Sequence, residues 1–375
     1  MRIGIDARFY GTAGRGLGRY VSELIRELEL IDRENDYVIF LRRANYGAYE
    51  PKNPKFTKAL AEFPWYGWKE QLIYPFWLRK FRLDLLHFPH FNVPLLYRRP
   101  FIVTVHDLIL MKFPTVRATT LPPFLFRLKF AAYKVVIGSA LRRAREIATV
   151  SQFVKNDIER TFPFAKNKRI TVTYEACAPT LSGATGSPKD KTPIARPYFL
   201  YVGSAYPHKN LETLISAFAA FRRSGFTGHR LVIVGEKDRF MTRLENETRS
   251  AAADANVVFF GRATDEELAA IYDGAQVYVF PSLCEGFGLP PLEAMSRGIP
   301  VASSNACCLP EVLGDAAEYF DPSDGKSIVA SLAKLASDET LRKTLAEKGR
   351  QRAQGFNWKD CAEQTRAIYE RALNK

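Results

Sequence analysis

A chain of 375 residues is too long for one ordinary domain and long enough for two. With 47% hydrophobic and 25% charged residues it can bury a sizeable core, and no apolar run reaches the 18 residues that a membrane-spanning helix needs. The net charge of +14 is one-sided: residues 1–175 carry 30 Lys+Arg against 16 Asp+Glu, whereas residues 176–375 carry 24 of each. Such a field points to an anionic partner, either a phosphate-bearing substrate, nucleic acid or lipid headgroups, although a solvated basic face without a partner would read the same way.

The first residues, Met1-Arg2-Ile3-Gly4-Ile5-Asp6, read as a strand and lack the basic and apolar regions of a signal peptide. Helical periodicity follows over Gly16–Ile31, with Tyr20, Val21, Leu24, Ile25 and Leu28 on one face. Strands are expected at Tyr37–Arg42, Leu83–Pro89, Phe101–Leu108, Glu146–Ser151 and Arg169–Tyr174, with a helix over Gln152–Thr161 capped by Ser151. Residues 177–197, rich in Pro, Ser, Thr and Gly, read as a linker between a first domain of residues 1–176 and a second of 198–356.

Alternation restarts beyond the linker. Strands are expected at Tyr198–Gly203, Arg230–Gly235, Val257–Gly261, Gln276–Pro281 and Pro300–Ser303. Helices fill the gaps at Asn210–Arg223, Arg239–Ala253, Asp265–Ala275 (capped by Thr264) and Pro290–Arg297. Strand–helix repetition specifies parallel sheets covered on both faces, with binding crevices at the carboxyl ends of the strands. Two such domains in tandem would enclose a central cleft. Three amphipathic helices are expected between Lys326 and Lys375, the last of which, after Asn357, packs back on the first domain.

Five scattered cysteines without a C-x-x-C pair fit neither a disulfide framework nor a zinc site, and a reducing cytoplasm is the expected compartment.

Four strings carry chemistry. Gly11-Thr12-Ala13-Gly14-Arg15-Gly16-Leu17-Gly18 sits between a strand and a helix, where glycines admit a phosphate to the helix start. Its spacing is not the dinucleotide fingerprint, and Leu41-Arg42-Arg43 stands where an acidic residue would hold a ribose, which disfavours NAD. His106 ends an apolar strand, where it is either a cleft residue or a structural histidine; His87 and His90 end another strand, and at least one is expected near the same cleft. Lys209, in Gly203-Ser204-Ala205-Tyr206-Pro207-His208-Lys209-Asn210, stands where an ammonium can meet a phosphate. The most specific string is Glu285-Gly286-Phe287-Gly288-Leu289-Pro290-Pro291-Leu292-Glu293, a glycine turn leading into a helix, with one carboxylate before the helix and one a turn inside it.

Together these strings resemble the family 4 (group 1) retaining glycosyltransferases of the GT-B fold, in which two tandem Rossmann-like domains face each other. The specific part is the E-x7-E pair Glu285/Glu293, followed by Gly298-Ile299-Pro300-Val301 and Leu309-Pro310-Glu311-Val312. The resemblance implies transfer of a hexose from a nucleoside diphosphate sugar, with retention and with neither metal nor other cofactor. It implies that Glu285 contacts the donor sugar, that Glu293 holds the ribose, and that the amides of Gly286, Phe287, Gly288 and Leu289 hold sugar or diphosphate. Lys209 would then neutralise the diphosphate, Gly14 and Gly16 would bring the first-domain loop over the phosphates, and His106 would stand near the reacting centre. Many members have Arg where Ser204 stands and Pro-Arg-Lys-Asn where this chain has Pro207-His208-Lys209-Asn210, so one positive charge is missing unless Arg15, Arg19 or His208 replaces it.

GDP-mannose is the expected donor and a UDP-sugar the alternative. The expected acceptor is a glycan or lipid-linked glycan. Residues 121–134, aromatic and basic, would lie either on an anionic membrane surface at the cytoplasmic face or in the core. Nucleic acid is not expected, since the basic residues follow no nucleic-acid motif. An epimerase or phosphorylase on the same architecture, and a non-catalytic or anion-binding protein of the same fold, are the remaining readings.

Overall fold

Two parallel sheets organise the chain in a computed structural model that describes residues 1–11, 15–114, 122–177, 194–251 and 255–374. The first holds β1 (Arg2–Asp6), β2 (Asp36–Leu41), β3 (Phe56–Leu60), β4 (Leu85–Phe88), β5 (Phe101–Val105), β6 (Ile147–Thr149) and β7 (Ile170–Val172), in the order β3-β2-β1-β4-β5-β6-β7. The second holds β8 (Tyr198–Val202), β9 (Arg230–Val234), β10 (Val257–Gly261), β11 (Val277–Phe280), β12 (Val301–Ser304) and β13 (Ala317–Phe320), in the order β10-β9-β8-β11-β12-β13. The central strands are apolar runs rather than alternating ones because both of their faces are covered: every residue of β5 and of β11 is buried.

The expected strands form, most of them shorter by a residue or two at one end or both. Two strands were not anticipated. Phe56-Thr57-Lys58-Ala59-Leu60 and Ala317-Glu318-Tyr319-Phe320 are edge strands with only one sheet neighbour, and their polar residues are tolerated because one side faces away from the core.

The chain forms two compact units, Met1–Glu175 with Asn357–Lys375, and Ala176–Phe356. Most of the expected linker, residues 178–193, lies outside the described residues. The C-terminal helix Trp358–Leu373 belongs to the first unit for a physical reason. Trp358, Cys361, Ala362, Thr365, Ile368, Tyr369 and Ala372 recur at helical spacing and are all buried. They pack against helix Arg15–Ile31, whose Tyr20, Val21, Leu24, Ile25 and Leu28 are fully buried in turn. Asn357 caps the C-terminal helix by accepting from the Asp360 amide at 2.8 Å, and near its end the Arg371 guanidinium pairs with the buried Glu146 carboxylate at 2.6 Å.

The expected caps form as well. Ser151 Oγ accepts from the Val154 amide at 3.2 Å, and Thr264 and Glu267 form a reciprocal capping box. The strand order of each sheet reverses once, between β1 and β4 in the first unit and between β8 and β11 in the second. These are the two points where an open α/β sheet leaves a crevice.

Candidate active site

In the second unit, the loops that leave β8 and β11 meet across the switch point. The first carries Lys209 at the end of a short 3-10 turn, Pro207–Lys209, and the second carries Glu285. Lys209 Nζ stands 2.6 Å from Glu285 Oε1, with the two side chains 17% and 11% exposed. Two contacts fasten one loop to the other, and a third ties the first loop to the segment after β13. The Leu283 amide donates to His208 O at 2.8 Å, and Asn210 Nδ2 donates to Pro281 O at 3.2 Å and to Pro322 O at 2.7 Å. Asn210 adopts a left-handed conformation, φ 61°, which asparagine tolerates well, and this turn swings the chain from Lys209 into helix Leu211–Arg223.

Glu285, Gly286, Phe287 and Gly288 are all buried. Gly288 begins helix Leu289–Ser296 at φ 101°, and a Cβ there would come within 2.9 Å of the Leu309 side chain, so both the backbone and the space require glycine. The Phe287 ring packs edge-on against Phe356, and its carbonyl accepts from the Cys308 thiol at 3.2 Å. Prolines at 290 and 291 remove two amide donors from the first turn, which leaves the Leu289 N–H ahead of them, with Leu289 half-buried. Glu293 lies a turn inside, 3% exposed, with the Tyr272 hydroxyl 3.4 Å from its Oε2. The far end of the helix is fixed by the Arg297–Asp273 pair at 2.7 Å.

Ser204 is half-buried, and its carbonyl accepts from the Tyr201 hydroxyl at 2.8 Å. His208 carries no charge of its own here at neutral pH. Burial, reinforced by the adjacent Lys209, pushes it down to about 4, so it is neutral near pH 7. Two features here escaped sequence reading: the clasp made by Asn210, and the wholly buried Ser282, whose hydroxyl has no hydrogen-bond partner among the described residues. The asparagine in Lys209-Asn210-Leu211 was a legible signal of a left-handed turn.

In the first unit, His106 follows the last residue of β5. Its Nδ1 lies 3.0 Å from Glu175 Oε1 and its Nε2 3.0 Å from Pro89 O. His87, by contrast, is a core histidine: it is fully buried between the Tyr369 and Thr104 hydroxyls, each 2.8 Å away, and burial pushes it down to about 3. Beyond β4, His90 lines a small cavity at the switch point together with Asp6, Arg8, Trp65 and Asn92. Arg8, 2% exposed, ties Asp6 and Glu70 together at 2.6 and 2.7 Å, and Glu70 also accepts from Asn92. Sequence reading missed this cluster because Arg8 and Glu70, which hold it together, are 62 positions apart.

Gly14 lies outside the described residues. Gly16 is exposed in the first turn of helix Arg15–Ile31, with open space where a Cβ would stand. Gly18 has a different duty from ligand approach: a Cβ there would stand 2.1 Å from Gly11 O, so its absence lets the loop close on the helix.

Comparison with known proteins agrees with this architecture. The family model described as "Glycosyltransferase Family 4" matches residues 14–177, and that described as "Glycosyl transferases group 1" matches residues 187–352. The O-antigen chain mannosyltransferase B of Escherichia coli is 29% identical over 381 residues, covering 95% of this chain and 96% of that one. The O-antigen chain mannosyltransferase RfbU of Salmonella typhimurium (strain LT2) is 28% identical over 281 residues, 73% of this chain and 71% of that one. Among solved structures, sucrose-phosphate synthase from Thermosynechococcus elongatus superposes with a TM-score of 0.74 at 19% identity, covering 100% of this chain and 99% of that one, and this supports the fold alone.

The fold and the paired loops at the second switch point therefore define a GT-B enzyme. The chain belongs to the family 4, group 1 glycosyltransferases and is a transferase.

Proposed function

We propose that this glycosyltransferase moves mannose from GDP-mannose to a glycan or lipid-linked glycan acceptor, with retention at the anomeric carbon and without a metal. The mannosyl reading is supported by the two O-antigen mannosyltransferases it resembles. The observation that carries the chemistry is the Lys209–Glu285 pair across the β8/β11 switch point.

A nucleoside diphosphate entering there brings negative charge to the Lys209 ammonium, and the donor sugar brings hydroxyls to the Glu285 carboxylate. Each partner of the resting ion pair exchanges the other for a piece of the donor. Glu293, one turn into the helix, takes the ribose hydroxyls. As the sugar–phosphate bond breaks, negative charge grows on the diphosphate and positive charge on the sugar ring. The fixed ammonium and the loop amides of Gly286, Phe287, Gly288 and Leu289 stabilise the former without reorganising. This is the role a divalent ion plays in other transferases, and it is the ground for expecting metal independence. With retention, the leaving phosphate accepts the proton of the attacking hydroxyl on the same face of the sugar.

A lipid-linked acceptor at the cytoplasmic side of a membrane accords with helix Pro123–Arg143. It exposes Phe124, Leu128 and Val135 at 68, 66 and 58%, beside exposed Arg127, Lys129 and Lys134, so these apolar residues do not form core. No helix among the described residues is long and apolar enough to cross a membrane. Contact would be peripheral, through apolar side chains and attraction to anionic headgroups.

Thermal shift and donor hydrolysis with GDP-mannose, UDP-glucose, UDP-N-acetylglucosamine and UDP-galactose, in EDTA, test this reading. GDP-mannose alone should stabilise and be consumed, and Glu293→Ala should abolish both effects. Preference for a UDP-sugar would replace the donor; no response to any of the four would reject the site.

A further inference from the structure

His106 and His87 end adjacent strands, yet their partners demand different protonation. The partners of His87 are hydroxyls, which donate or accept as required, so a neutral ring satisfies both contacts. The partners of His106 are a carboxylate oxygen and a backbone carbonyl oxygen, each 3.0 Å from a ring nitrogen. Neither carries a proton to give. A neutral imidazole has one N–H, so one of its contacts would set lone pair against lone pair. Were the shared proton placed on Glu175 instead, it would sit on the weaker base.

We infer that Glu175 is the positioning residue that holds His106 as an imidazolium near neutral pH for the transfer reaction. With both N–H groups committed, His106 is a fixed charge rather than a proton shuttle. It presents that charge at the carboxyl end of the first sheet, 17% exposed. This role rests on the glycosyl-transfer reading, a reaction that builds negative charge on its leaving group.

The groups around His106 agree. Glu175, from the segment after β7, and Asp107, on its own segment, both favour the charged form, and its pKa is raised although burial opposes this. From the β4 side, His87 and His90 are both pushed down to about 3, by burial first and then by the charge of His106. From helix Arg15–Ile31, Tyr20 meets the ring edge-on at 4.6 Å. Glu175 itself lies beside Cys361 of the C-terminal helix, whose thiol is pushed up by burial and by that carboxylate.

The test is a histidine NMR titration of the full chain labelled with 13C-histidine, His106 being assigned by the signal lost in His106→Asn, together with pH–rate profiles. Glu175→Gln keeps the side-chain shape and offers an amide donor to a neutral ring, so the packing survives while the need for a proton disappears. In the wild type, His106 should stay protonated above the range of an ordinary histidine. In Glu175→Gln its midpoint should move to lower pH by about one unit or more, and turnover at pH 7.5 should fall about tenfold, with the alkaline loss of activity displaced in the same direction. Glu175→Asp, which keeps the charge, should restore much of both. A neutral His106 at pH 7 in the wild type, or a midpoint or pH–rate profile unmoved in folded Glu175→Gln, overturns the inference. Absence of turnover with every nucleotide sugar counts against glycosyl transfer alone, because the titration reads the histidine without turnover.

Discussion

The Lys209 ammonium and the Glu285 carboxylate, 76 positions apart in the chain, meet at 2.6 Å across the switch point of the second sheet. Each is mostly buried, so neither can lose the other without cost. Lys209→Ala should weaken donor binding by roughly 10–100-fold and lower stability by about 1–3 kcal/mol, because it strands a carboxylate. Glu285→Gln, which can still accept from the lysine, should fold normally but lose turnover. Calorimetric titration and thermal melts on the two variants check this; equal donor affinity in Lys209→Ala would separate the pair from the donor site.

Gly288 carries both a left-handed backbone and a contact limit of 2.9 Å to Leu309. Gly288→Ala should cost about 1–3 kcal/mol by chemical denaturation and displace the Glu285 loop, so donor affinity should fall along with stability. Gly16→Ala, placed in open space, should leave the melting temperature within a degree or two.

The C-terminal helix completes the core of the first unit. Ile368 is fully buried there, and Ile368→Ala should destabilise by about 2–5 kcal/mol. Truncation after Phe356 should remove more than this and leave the first unit unable to fold, visible as lost protection of helix Arg15–Ile31 in hydrogen exchange. Unchanged protection there would show that the helix is an accessory.

Acid should unfold the protein through its neutral histidines. His87 and His90 are held down to about 3 in the folded chain against an ordinary 6.5. The unfolded chain therefore binds protons that the folded chain refuses. The stability these groups contribute is complete above about pH 6.5 and is lost as pH falls from there towards 3. His87→Gln should flatten the decline of melting temperature over that window, measured by calorimetry at several pH values; an unchanged slope would place the acid sensitivity elsewhere.

Sequence alone determined the parts of this protein that depend on local pattern. Apolar runs broken by glycine turns specified two parallel sheets. The spacing of Tyr20, Val21, Leu24, Ile25 and Leu28 specified a buried helix face, and Ser151 and Thr264 specified helix starts, because caps and periodicity act within a few residues. The string from Glu285 to Glu293 marked the loop proposed to hold the donor for the same reason: a glycine turn, a helix start and two carboxylates follow closely in the chain. Tertiary structure decided what depends on partners distant in sequence. Only the folded chain shows Lys209 held by Glu285, Gly18 closing on Gly11, and His87 satisfied by Tyr369, 282 positions away. It also separates two histidines that look alike in sequence, since protonation follows from what each ring nitrogen faces: hydroxyls leave His87 neutral, whereas a carboxylate and a carbonyl demand a charged His106.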